Sequence, residues 1–349
     1  MANKIVSIII VNWNGISFLP TCIESLKKQT YRDFEVVVVD NGSNDGSVIL
    51  LKSDYPWVKL VVLPVNSGFS GGNNEGLKHA NGEYIVVMNN DAEAEPDWLE
   101  RLVAAADANP DAGQVACRIC SMHDHDMIDS LGHGVCADGM TRGRYRLQRW
   151  SEVKGRFKAA DEIFFGTACV SLYRRVAIDQ VGFFDDDMFA FAEDSDLGMR
   201  LRWGGWRAVI ATDAVVYHKY SGTGGAFSPF KLYLVERNHY WVAVKNFPFP
   251  MLLLVPFYSF VRYLVQLKVV LNGEGSGGEF AASDSKLPIV RAIVKGTWDA
   301  LLGLPLMILK RRGIMKNARI SSKEMQALMK KYRMSFYELL DVLKAGSGR

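Results

Sequence analysis

Four short apolar runs open the chain, each rich in β-branched residues and each ending in polar ones. They are "KIVSIIIVN" from Lys4, "FEVVVVDNGS" from Phe34, "VKLVVLPVN" from Val58 and "EYIVVMNND" from Glu83. Runs of this length and composition predict buried strands. Segments with helical spacing separate them: Phe18 to Gln29, Gly46 to Ser53, and Gly71 to His79. A fourth helix is predicted in "EPDWLERLVAAADANP", with Pro96 in its first turn. Strand–helix alternation at this spacing predicts a parallel sheet with right-handed crossovers.

Such sheets bind ligands at the carboxyl ends of their strands. Here those ends read Asn12-Trp13-Asn14, Asp40-Asn41-Gly42-Ser43, Asn66-Ser67-Gly68 and Asn89-Asn90-Asp91. Any one of these is ordinary turn chemistry. Four on one edge predict a ligand cleft. A dinucleotide fingerprint is missing, because "VNWNG" after the first run lacks G-x-G-x-x-G. "GFSGGNNEG" from Gly68 is glycine-rich at the wrong spacing, with no Walker lysine. Its glycines permit close backbone approach and its amides could face phosphate. Asp91 stands where a hard cation could bridge protein and diphosphate. Asp40 could accept a hydrogen bond from a pyrimidine N–H or a ribose hydroxyl.

In order and spacing, "VSIIIVNWNG", "VVVVDNGSNDGS", "NSGFSGGNNEG" and "VVMNNDAEAEPDW" resemble glycosyltransferase family 2. The "VNWNG" and "NND" variants look most like its rhamnosyltransferase-type branch. The resemblance covers roughly residues 4–240. It implies the inverting GT-A fold: a Rossmann-like, mixed, mostly parallel sheet flanked by helices. It also implies a nucleotide site at Val11, Asn12, Asn14, Asp40, Asn66, Asn73 and Asn90. The family's D-x-D reads Asn89-Asn90-Asp91 here, which leaves a lean site for Mg²⁺ or Mn²⁺ at Asp91, with His218 completing it. "FFDDDMFAFAEDSDL" is similar to the family's acidic signature, so Asp194 is expected as the general base, with Glu193 and Asp196 in support. "FFGTACVSLYRR" is similar to its acceptor-side strand, where Gly166 and Thr167 would let a sugar approach. Outside that set, Arg200 and Arg202 read as helix-surface charge and Asp185 to Asp187 as a solvated turn.

Charge and the second half change the picture. Lys286 to Arg349 carries 14 Lys and Arg against 4 Asp and Glu, a net +10 in a chain of +3, which leaves −7 on the rest. "FPFPMLLLVPFYSFVRYLVQLKVVL" from Phe247 is strongly apolar, but Pro248, Pro250, Pro256 and Arg262 keep its runs short of the roughly 20 residues that span a bilayer. It reads as a buried helix or as an in-plane or re-entrant one. With the basic "LPIVRAIVKGTWDALLGLPLMILKRRG" it predicts monotopic attachment. An acidic body with no basic groove makes nucleic acid a poor partner. The expected layout is a transferase domain over 1–240, split at 110 into nucleotide and acceptor halves. A helical, membrane-associating region follows over 241–349, with a Gly/Ser-rich linker at 272–285. Five cysteines argue against a disulfide framework, and "MANKIVSIIIVNWNG" does not read as an export signal, so the cytoplasmic face of the membrane is expected. "CRICSMHDHD" evokes zinc but lacks a second Cys-x-x-Cys; the alternative is a strand and an excursion to about Lys158.

The expected activity is metal-dependent, inverting transfer of a sugar from a dTDP- or UDP-linked donor to a glycan or polyprenyl-linked acceptor. L-Rhamnose is one such sugar; galactosyl, glucosyl or N-acetylhexosaminyl transfer, or a non-catalytic scaffold, are the alternatives.

Overall fold

The computed structural model describes residues 5–158, 160–219, 228–274 and 286–342. The four opening runs form β1 (Val6–Asn12), β2 (Phe34–Asn41), β3 (Lys59–Leu63) and β4 (Tyr84–Met88). Helices α1 (Leu19–Lys27), α2 (Ser47–Asp54) and α3 (Gly68–Lys78) lie in the connections between them. The strands pair in parallel in the order β4, β1, β2, β3. Alternation on β1 serves two cores. Val6, Ile8 and Ile10 pack with Leu19 and Ile23 of α1, whereas Ile9 faces the opposite cluster with Ile85 and Val87.

A three-residue strand, β5 (Ala92–Ala94), follows β4 and leads into α4 (Trp98–Ala108). Because β5 pairs with a later strand, α4 starts late. Pro96 therefore precedes the N-cap Asp97 instead of sitting in the first turn, and its carbonyl accepts the Thr30 N–H at 2.8 Å.

The second half extends the same sheet through β6 (Ala112–Ser121), β10 (Asp161–Ile163), β11 (Val170–Arg174) and β12 (Arg207–His218). Between β6 and β10 the predicted excursion carries β7 (Ile128–Ser130), β8 (His133–Val135), β9 (Thr141–Gly143) and α5 (Trp150–Val153). β8 and β9 form a small separate hairpin. β11 runs antiparallel to both β4 and β6, so the sheet is mixed, with its first half parallel. Helices α6 (Arg175–Val181) and α7 (Glu193–Trp203) complete this half. The result is an α/β fold of the GT-A kind, a sheet flanked by helices.

Every residue of α7 is buried, which overturns two sequence readings. Arg200 is not surface charge. Its Nε lies 2.8 Å from Asp196, and its other nitrogens cap the carbonyls of Val181, Gly182 and Phe183. Arg202 donates to the Phe164 and Ile163 carbonyls and pairs with Glu162 at 3.1 Å. Asp185 is not solvated either, since its carboxylate meets Lys245 at 2.6 Å. Burial would raise the pKa of Asp196, but Lys245 and Arg200 hold it far below the usual carboxylate range.

The C-terminal helices are α8 (Pro229–Asn246), α9 (Phe249–Leu252), α10 (Val255–Asn272), α11 (Lys286–Leu302), α12 (Leu304–Lys316), α13 (Ser322–Lys331) and α14 (Phe336–Leu339). The boundary expected at 240 falls inside α8, which runs through it unbroken. One core cluster joins Phe164, Met188 and Trp203 to Trp241, Met307 and Met325, so these helices share a core with the acceptor half. All but Asn272–Glu274 of the expected linker lies outside the described residues.

The segment from 247 is not a buried helix, because α10 leaves Phe257, Phe260, Leu264, Leu267 and Leu271 exposed. Among the described residues no single helix is long and apolar enough to cross a membrane; α11 and α12, bent by 59° at their junction, meet those criteria only together.

Candidate active site

The carboxyl ends of β1, β2 and β4 open onto a cavity of about 700 Å³. The start of α7, the β8–β9 hairpin and the start of α8 line it as well. Of the residues expected at the site, Val11, Asn66, Asn90, Asp91, Thr167, Glu193, Asp194 and His218 line it.

Others lie behind that surface. β1 and β2 are in register at Asn12 and Asp40, and both side chains are fully buried. Asn12 Nδ2 donates to Asp40 at 3.1 Å, the Ser43 N–H takes the other carboxylate oxygen at 3.0 Å, and Asn90 donates to Asn12 Oδ1 at 2.8 Å. Asp40 therefore does not line the cavity; it braces Asn12, which in turn holds Asn90. Asn14 is exposed on the outer side, where its Oδ1 accepts the Asn44 N–H. Asn73 is buried in α3 and donates to the Phe69 carbonyl. Gly166 packs too tightly to meet a sugar: a Cβ there would sit 2.7 Å from Ala116 and 2.8 Å from the Ser171 hydroxyl. The glycine-rich start of α3 also has a structural partner. Gly68 has φ +80°, and a Cβ on it would lie 2.4 Å from the Phe189 carbonyl oxygen.

Asp91 and His218 meet at one end of the cavity, with Asp91 Oδ1 3.3 Å from His218 Nε2. On the far side of the imidazole, Asp129 Oδ2 lies 2.8 Å from Nδ1. Burial opposes a charge on His218, yet Cys169, Asp129 and Asp91 around it raise its pKa well above the ordinary value. Among the described residues no three His, Cys, Asp or Glu side chains form a ready metal cage. Asp91 and His218 nonetheless fit a cation that takes its remaining ligands from a diphosphate and water, the usual habit of Mg²⁺. Asp129 on Nδ1 would fix the ring so that Nε2 faces the ion.

Asp194 lines the same cavity, in the first turn of α7. Its Oδ2 accepts the Ala168 N–H at 3.2 Å; its Oδ1 accepts from the Ser195 N–H at 2.7 Å and from the Ser195 hydroxyl at 3.1 Å. These donors fix the carboxylate and leave it acceptor-only while ionised. Burial, and next the charge of Asp194, push the Glu193 carboxyl up to about 8. Glu193 is thus largely protonated at neutral pH and can donate a hydrogen bond. The Glu193 Oε2 is buried with no hydrogen-bond partner among the described residues.

Sequence reasoning missed His133, Arg142 and Arg146, which also line the cavity. The signal for the arginines was the run "TRGRYRLQR" from Thr141, which sits inside the excursion. His133 carried no signal beyond being a histidine. Cys117 and Cys120 are buried in β6, and His125 stacks on Tyr217 with ring centroids 3.6 Å apart.

A family model described as Glycosyl transferase family 2 matches residues 7–182, half of the chain. The chain is 29% identical over 259 residues to an O-antigen biosynthesis protein, RfbC, of Myxococcus xanthus, covering 70% of this chain and 20% of that one. It is 26% identical over 243 residues to an N-acetylglucosaminyl-diphospho-decaprenol L-rhamnosyltransferase of Mycobacterium tuberculosis, covering 63% of this chain and 78% of that one. An uncharacterized glycosyltransferase of Bacillus subtilis, EpsJ, is 28% identical over 207 residues, covering 56% of this chain and 55% of that one. With the sheet, the cavity at its carboxyl edge and this match together, the chain belongs to glycosyltransferase family 2 and is a glycosyltransferase.

Proposed function

We propose that the protein transfers a sugar, with inversion, from a nucleoside diphosphate to a hydroxyl of a lipid-linked glycan at a membrane surface. The observation that carries this is that Asp194 and the Asp91–His218 pair line one cavity at the carboxyl edge of the sheet. A divalent cation held by Asp91 and His218 would neutralise charge on the departing diphosphate. Asn66, Asn90 and Val11 line the wall against which the nucleotide would lie. Asp194 takes the proton of the acceptor hydroxyl, whose oxygen attacks the anomeric carbon on the face opposite the diphosphate. Glu193, protonated, donates to an acceptor oxygen, and Thr167 flanks it. The rhamnosyltransferase and O-antigen names among the relatives support L-rhamnose and a diphosphate-linked acceptor.

The exposed helical stripe of α10 supports attachment to the membrane, and the basic tail suits the anionic cytoplasmic leaflet.

The test is a panel of dTDP- and UDP-sugars with Mg²⁺ or Mn²⁺. Asp194→Asn should lower transfer by about 10³-fold or more while nucleotide affinity stays within about twofold. Wild-type turnover in that variant would remove the base. Asp91→Ala should abolish the metal-dependent part of nucleotide binding; equal affinity with and without metal would remove the cation role.

A further inference from the structure

We propose that Arg142 and Arg146 form a diphosphate subsite for the acceptor, and that Asp341 occupies it in this structure. The inference rests on the transferase reading above and extends it to residues that neither the sheet edge nor α7 supplies.

Both arginines line the cavity, and both reach the same carboxylate oxygen. Arg146 Nη1 is 2.9 Å from Asp341 Oδ2, and Arg142 Nη2 pairs with that atom as well. The side chains are 24%, 15% and 15% exposed for Arg142, Arg146 and Asp341, so the cluster is largely withdrawn from water. Arg142 Nη1 also donates to the Leu339 carbonyl at 2.7 Å, so in this cluster two forked cations meet one carboxylate oxygen and one neutral carbonyl. A diphosphate carries more charge and more acceptor oxygens and can engage each guanidinium with two parallel bonds.

Position separates this subsite from the donor edge. β9, which carries Arg142, is tied to the catalytic helix, since Thr141 Oγ1 lies 2.6 Å from the Ser195 hydroxyl that contacts Asp194. The same hairpin is bolted to α10. Arg262 of α10 pairs with Asp138 at 2.5 Å and with Glu236 at 2.9 Å, and all three side chains are buried. Away from that contact, α10 presents its exposed Phe and Leu stripe. The hairpin that carries Arg142 thus touches both the helix of Asp194 and the helix with the apolar stripe, and the diphosphate of a lipid-linked sugar would lie beside it if its hydroxyl reached Asp194.

Asp341 is suited to give way. It follows α14 near the end of the described chain, in a left-handed conformation with φ +58° that a non-glycine residue adopts at a cost. Arg142 sits on the hairpin and Arg146 three residues beyond it, so the Asp341 carboxylate can leave while their backbone stays and Arg142 Nη1 keeps the Leu339 carbonyl at 2.7 Å. The donor diphosphate is the other source of the same chemistry, because Arg146 Nε also lies 3.7 Å from Asp129, the partner of His218. The experiment must tell the two apart.

The probe is farnesyl diphosphate, titrated calorimetrically into the full-length protein with farnesol, UDP and dTDP as comparisons. Asp341→Asn should tighten farnesyl diphosphate by about tenfold, while Arg142→Ala and Arg146→Ala should each weaken it by about tenfold, the lysine replacements less. UDP and dTDP affinities should stay within about twofold in all of them. A parallel loss of nucleotide affinity in the arginine variants would assign the pair to the donor and overturn the proposal. So would equal binding of farnesol and farnesyl diphosphate, or affinity for the diphosphate unchanged across the variants. Release of nucleotide from nucleotide-sugars by the wild type is measured separately. Its absence alongside arginine-dependent diphosphate binding would overturn the transferase reading and leave the subsite standing.

Discussion

Glu193 and Asp194 are neighbours in sequence with unlike surroundings. Asp194 has three hydrogen-bond donors, whereas Glu193 has a buried oxygen with none among the described residues, and the adjacent charge adds to the cost of ionising it. This has a consequence for stability. In the unfolded chain Glu193 ionises near 4.5; in the folded protein it holds its proton up to about 8. Between those values the folded state binds the extra proton, so this group's contribution is complete below the unfolded value and is lost as pH rises toward 8. The slope approaches about 1.4 kcal/mol per pH unit at most. Glu193→Gln has no such proton to lose. Urea unfolding at pH 6, 7 and 8 should show the Gln variant gaining on the wild type with each step. Parallel stability curves would mean that Glu193 is ionised throughout. The motif showed that an acidic pair stood here, but the division of labour depends on which oxygens find donors, and that is set by Ala168, twenty-six residues away in sequence.

At the scale of elements, the turn into α7 is where local preference and structure part company. Phe189, with φ 63° and ψ −65°, forms a tight turn in which the Ala190 N–H donates to the Met188 carbonyl at 2.7 Å. Phe191 and Ala192 also have positive φ, and each such residue costs on the order of 1–3 kcal/mol. The buried Asn238 of α8 holds the turn, its Nδ2 donating to the carbonyls of Met188, Ala190 and Phe191 at 2.7 to 2.9 Å. Asn238→Leu removes this donor from the Ala190 and Phe191 carbonyls, while Met188 keeps the Ala190 N–H and Arg237, and should destabilise the protein by roughly 1–3 kcal/mol in thermal or urea unfolding. Asn238→Asp should cost more, since a carboxylate would face three carbonyl oxygens. The reverse order would show that the side chain fills space and does not clamp. The parallel strands and the four polar strand ends were legible because their signals are periodic and local. The clamp was not, since it joins α8 to a turn about fifty residues earlier. Asp40 shows the converse. Its place on the edge was legible, but its burial was not, because Asn12 and Ser43 reach it only once the strands are in register.

For the molecule as a whole, the question is what covers the apolar face. Phe257, Phe260, Leu264, Leu267 and Leu271 of α10 recur at three- and four-residue steps, as do Val290, Val294, Trp298 and Leu301 of α11, all exposed. Two forces could hold this surface to a bilayer. Each buried large apolar side chain contributes about 1.5–3 kcal/mol, and each Lys or Arg near an anionic surface about 1 kcal/mol. Salt screens the second and leaves the first. With nine such apolar residues, the apolar term should dominate. Vesicle co-sedimentation should then retain most of the protein on phosphatidylglycerol-containing vesicles at about 0.5 M salt, where screening is nearly complete. Replacing Leu264, Leu267 and Val294 together by Glu should release it at low salt, because each buried Leu or Val is exchanged for a charge the membrane repels. Those three residues do not line the cavity, so release of nucleotide from nucleotide-sugars should persist in the variant. Release by salt alone, with the glutamates without effect, would make the attachment electrostatic and leave the apolar stripe to cover some other surface.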